Sequence, residues 1–160
     1  MTDFTAAVFD CDPTNPRVST PFDDHPCVVV LQITGSKEAI VVPAFTAARV
    51  GISRLIDFYV ERGISREALS VVLDNAKIID WRVNRDPVLA EWAVLQIDRV
   101  PLAALSKGKQ IGTMRKEAFV QIVDSILLFS ESTPGTNRFS EPVLKKLRKL
   151  SEDLHTELAG

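Results

Sequence analysis

Cysteine is scarce, with Cys11 and Cys27 alone among the 160 residues. Two thiols do not make a disulfide framework, and no C-x-x-C pair or cysteine–histidine cluster suggests zinc. Long apolar runs are missing too. No stretch approaches the roughly 20 residues that a helix needs to cross a bilayer. The opening MTDFTAAVFDCD carries acids where a secretory leader has a basic region ahead of a long apolar one. Cytoplasm is the expected compartment, and a membrane is not an expected partner. Neither sign of charge dominates: 19 basic side chains face 21 acidic ones, for a formal net of −2. That argues against a DNA-coating role but not against a nuclease with a small RNA groove. Glycine and proline, 7 and 9 residues, are too few for a fibrous or disordered chain.

What is present suits a globular protein with one core, 46% hydrophobic and 25% charged. Ala6–Phe9 reads as a short strand closed by the turn Asp10-Cys11-Asp12-Pro13. Pro13–Pro26 reads as a long loop, and loops of that length are disproportionately functional. Cys27–Ile33 (CVVVLQI) and Ala39–Val42 (AIVV) read as a β-hairpin, with Gly35 expected to supply a positive φ and Pro43 to end the second strand. Ile52, Leu55, Ile56 and Tyr59 recur at helical spacing, with Gly63 as the stop. Strands are expected at Ser70–Leu73, Lys77–Val83 and Trp92–Ile97, the last two joined by a turn at Asn84–Pro87. Lys107–Gly112 (KGKQIG) reads as a basic loop. Met114–Phe129 then reads as a helix capped by Thr113. Ser132–Asn137 reads as a linker. Ser140, Glu141 and Pro142 open a last helix whose stripe of Val143, Leu144, Leu147, Leu150, Leu154 and Leu158 must pack on the domain or on another chain.

Several segments fall in a suggestive order. Val8-Phe9-Asp10-Cys11-Asp12-Pro13-Thr14 is followed by His25-Pro26-Cys27-Val28-Val29-Val30, and then by Val41-Val42-Pro43-Ala44-Phe45-Thr46. Later come Ala93-Val94-Leu95-Gln96-Ile97-Asp98-Arg99-Val100 and Ile111-Gly112-Thr113. This series resembles the PemK/MazF toxins, in which a hydrophobic strand runs into D-x-D/N-P-T and then R-P-x-V-V-L. A strand ending V-P-x-T-T, a D-Q-V/I-R-T-V/I strand and a closing I-G-x-L helix follow. The resemblance spans about Ala7 to Phe129. It implies a mainly β fold with helices: a small SH3-like, CcdB/PemK-type antiparallel β-barrel, here with an inserted helix around Val50–Arg62 and C-terminal helices. The expected division is a barrel domain with its closing helix over 1–131, and a linker with an amphipathic helix over 132–160. It also implies a homodimer that cleaves single-stranded RNA without metal or cofactor and is neutralised by a protein antitoxin. The chain departs from the pattern in three ways. His25 stands where the family has arginine, the arginine and acidic pair after the glutamine are replaced by Asp98, Arg99 and Pro101, and the chain is longer.

Metal-free RNA cleavage needs a base for the 2′-hydroxyl, a donor for the 5′-oxygen and a cation for the developing phosphorane charge. His25 is the first candidate, since imidazole exchanges protons near neutrality; its other reading is a surface histidine beside Asp23 and Asp24. Arg17 is either a phosphate fork or a solvated charge. Thr46 is either the family's strand-end hydroxyl or a turn residue. Arg99 can restore a cation by a shifted register, but Asp98 beside it points to the opposite face, so one groove cannot take both. Lys107 and Lys109 are candidate phosphate contacts or a solvated basic loop. Trp81 is a candidate base-stacking ring, and with Trp92 it reads equally as packing. The competing expectation is a catalytically inactive member of the fold that binds a protein partner.

Overall fold

The computed structural model describes residues 3–10, 26–33, 35–46, 50–83, 89–132 and 139–160. In chain order its elements are strands β1 Ala7–Asp10, β2 Pro26–Ile33 and β3 Glu38–Thr46, then helix α1 Val50–Val60. β4 Val71–Asp74, the single turn α2 Asn75–Ile78 and β5 Ile79–Trp81 follow directly on one another. β6 Leu89–Trp92, β7 Asp98–Pro101, α3 Leu102–Lys107 and β8 Gln110–Met114 come next, and α4 Lys116–Ser132 and α5 Glu141–Ala159 close the chain. The chain is therefore mixed α/β rather than mostly β, and its helices hold more of the described residues than its strands.

All strand pairs are antiparallel, in the order β4-β6-β3-β2-β1-β8-β5 with β7 also on β3. β1, β2 and β3 lie at the centre and are buried on both faces. Val8, Val28, Val30, Ile40 and Val42 face the main core, while Phe9, Cys27, Val29, Ala39 and Val41 face a smaller cluster with Val100 and Leu105 of α3. Two-sided burial explains why Cys27–Val30 is a continuous apolar run rather than an alternating one.

The two ends of this order, β4 and β5, are joined by the four residues of α2. One helical turn rises only about 6 Å, so the sheet must curl to bring its ends together. Asn75 fastens the two ends where they meet at α2. Its side-chain oxygen accepts the Trp92 Nε1–H at 3.1 Å, and its carbonyl accepts the Trp81 Nε1–H at 3.2 Å. Gly112 of β8 is needed close by, because a methyl there would lie 2.7 Å from Ile79 Cγ2 and 2.9 Å from the Asp80 carbonyl.

Several local expectations are corrected. The positive φ of the β2–β3 hairpin belongs to Lys37, at 56°, not to Gly35; the Lys37 carbonyl is turned to accept the Leu102 N–H at 2.9 Å. Pro43 does not end β3. The strand changes partner there, from β7 up to Val41 to β6 from Ala44. The proline's missing N–H therefore falls where no ladder bond is required. Trp92–Ile97 is not one strand: β6 ends at Trp92, a 3-10 turn spans Val94–Gln96, and β7 follows. Lys77–Val83 is split between α2 and β5. Lys107 ends α3 and Gln110 opens β8, which shortens the basic loop. Thr113 lies in β8 rather than at a helix cap, and the first turn of α4 closes on the Arg115 carbonyl, which accepts from Ala118 and Phe119.

The helix stop at Gly63 is observed. With φ +91°, Gly63 donates to the Val60 carbonyl and Ile64 to that of Tyr59, the paired bonds of a left-handed helix end. Ser140 does stand at the start of α5, but its hydroxyl makes no capping bond. Val143, Leu144, Leu147 and Leu154 of α5 enter the main core beside Phe119, Ile122, Val123 and Ile126 of α4. Each such burial stabilises by roughly 1.5–3 kcal/mol, so α5 docks on the domain.

Candidate functional site at one end of the sheet

Strand register gathers several candidates at one end of the sheet. Asp10 pairs with Pro26, and Cys27 pairs with Pro43, which sets Pro26 across from Ala44 with Thr46 just beyond. Thr46 in turn pairs with Ala90 at the start of β6. Phe9 pairs with Gln110, so the exposed Lys109 enters β8 at this same end. Asp10, Pro26, Thr46 and Lys109 thus share one rim of the curled sheet. His25 and Arg17 lie outside the described residues, as does Cys11.

Arg99 is placed elsewhere. It pairs with Ile40, six residues before Thr46 along β3, a separation of roughly 20 Å in an extended strand. Asp98 pairs with Val41 and therefore faces the other side of the sheet. Both border a hollow of ≈ 250 Å³ that Ile97 and Phe139 also line. Trp81 is half-buried against the main core and Trp92 is wholly buried; both indole N–H groups are engaged by Asn75.

One charged group escaped the sequence reading. Glu91 of β6 is 1% exposed, the only buried charged side chain among the described residues. Its Oε2 accepts from Arg66 Nη2 at 2.9 Å and from the Ser70 hydroxyl at 3.1 Å. Its Oε1 is buried and has no hydrogen-bond partner among the described residues. An idle buried acceptor costs about 1–3 kcal/mol, and an ion pair out of water is weak evidence of stability. In L-A-E-W, Ala90 and Trp92 point into the core, and Glu91 alternates outward as any solvated strand residue would. What buries it is the return of the chain over that face, through the 3-10 turn Arg66–Ala68 and Ser70. No periodicity announces such a return. A lone acid inside an apolar strand was the available signal.

Protein-family models, curated proteins and solved structures offer no match to this chain. Among the described residues no three His, Cys, Asp or Glu side chains stand together as a metal site would need. No described helix is long and apolar enough to cross a membrane.

Proposed function

We propose that this chain is a PemK/MazF-like endoribonuclease that cleaves single-stranded RNA without metal and is neutralised by a protein antitoxin. Four of the five ordered landmarks support this reading, since they reach strands of a curled antiparallel sheet, while the fifth, Ala93–Val100, passes through a 3-10 turn before β7. Asp10 ends β1, Pro26 opens β2, Pro43 precedes the end of β3, and Gly112-Thr113 lie in β8 immediately ahead of α4. A small SH3-like, CcdB/PemK-type barrel and a homodimer belong to the same proposal.

The observation that carries it is the shared rim of Asp10, Pro26, Thr46 and Lys109. His25 precedes Pro26 in the chain, and its imidazole is suited to remove the 2′-hydroxyl proton. The Thr46 hydroxyl is assigned to hydrogen bonding and Lys109 to the phosphates. The test incubates the purified protein with end-labelled unstructured RNA in excess chelator. Fragments are expected, with the rate falling by at least about a hundredfold in His25→Ala. Intact RNA with the wild-type protein ends the reading.

A second reading is favoured by the position of Arg99, which β3 holds well away from Thr46. Here the protein is an inactive member of that fold and binds a protein partner. Stable capture of one partner without RNA, by a protein that leaves RNA intact, selects it.

A further inference from the structure

We infer that the outer edge at β4 is a docking strand for an extended peptide carrying one basic side chain, which Glu91 receives. β4 opens the sheet order and, among the described residues, is paired only on its β6 side. A peptide that adds a strand there uses its own backbone for affinity and its alternate side chains for selectivity. Cross-strand register places Phe45, Glu91 and Val72 in one row on the outer face, with Leu89 two residues from Glu91 on that same face. Val72 is 46% exposed and Leu89 56%, so apolar surface flanks the acid.

Charge complementarity selects the occupant. Glu91 Oε1 lacks a donor while its carboxylate is nine-tenths buried and more. Of its two partners only Arg66 reaches solvent, with 53% of its side chain exposed and its bond made to Oε2. The half-exposed arginine stands between this carboxylate and solvent, and what satisfies the idle oxygen is an N–H donor, best a guanidinium or ammonium. Two acids, Glu91 and Asp74, stand on this outer face, since Asp74 pairs with Leu89. That balance favours a basic peptide over the phosphates of RNA. The inference stands whether or not the chain cleaves RNA.

The probe is an octapeptide alternating valine and threonine around a central arginine, compared with its glutamine twin. Titration into the full chain is followed by amide chemical shifts. Saturable changes are expected at Val71–Asp74 and Leu89–Trp92. The glutamine twin should bind about tenfold more weakly, and Glu91→Gln should weaken the arginine peptide by a similar factor. The twin comparison uses wild-type protein and is unaffected by any folding defect of the variant. Equal affinity of the twins, or changes confined to other residues, overturns the inference. So does a short oligouridylate that shifts the same amides more strongly, which would make this edge an RNA surface.

Discussion

The seam of the sheet and its β6 wing each bury a polar side chain, and they use it differently. Asn75 at the seam is 2% exposed and Glu91 on the wing 1%. Asn75 gives its side-chain oxygen to Trp92 and its carbonyl to Trp81, so it ties the two ends of the curled sheet across α2. Glu91 gives one oxygen to Arg66 and Ser70 and keeps the other idle. The difference teaches which buried polarity holds the fold together. Where acceptors meet indole donors deep in the core, removal strands a partner; where an acceptor is already stranded, removal releases a penalty.

The larger expected effect is at the seam. Asn75→Ala leaves the Trp92 N–H without its acceptor in a wholly buried site, and should cost about 2 kcal/mol in urea denaturation. Glu91→Leu should change stability by less than about 1 kcal/mol. It deletes the idle oxygen together with the pair and returns the half-exposed Arg66 to water, which offsets the loss of the acceptor for the buried Ser70 hydroxyl. If the two variants lose the same stability, or Glu91→Leu loses more, the contrast between seam and wing is mistaken.

That contrast also marks how far the sequence could be read. The central strands were legible because burial on both faces writes itself as a β-branched run, as in Val28–Val30. The end of α1 was legible because only glycine takes a φ near +91° without strain. Trp92–Ile97 misled because an apolar run is consistent with a strand until tertiary geometry intervenes. There the chain must move from pairing with Ala44 to pairing with Val41 on the same side of β3. It does so through a 3-10 turn fastened by the Leu95 N–H to the Leu69 carbonyl at 3.0 Å. The placement of Pro26 across from Ala44 was legible, since it follows from the expected hairpin pairing of β2 and β3. Glu91 was not, because its partners Arg66 and Ser70 lie more than 20 residues away in sequence. Adjacent-residue patterns do not report contacts at that range.

The smallest effect sharpens the comparison from a third position, where the strain lies in the backbone. Ala6 has φ 66°, a left-handed conformation that costs an L-residue with a Cβ roughly 1–2 kcal/mol. It is held there from both sides: its N–H donates to the Val29 carbonyl at 2.8 Å, and its own carbonyl accepts the Met114 N–H at 2.9 Å. Glycine removes that strain but gives back about 0.5–1 kcal/mol through the freedom of the unfolded chain. Ala6→Gly should therefore stabilise by about 0.5 kcal/mol, raising the calorimetric melting temperature by about 1–2 °C. The opposing force is the Ala6 methyl, which packs against the main core. A lower melting temperature would mean that this single methyl contact outweighs the backbone strain, and that β1 is held by packing more than by its bonds to β2 and β8.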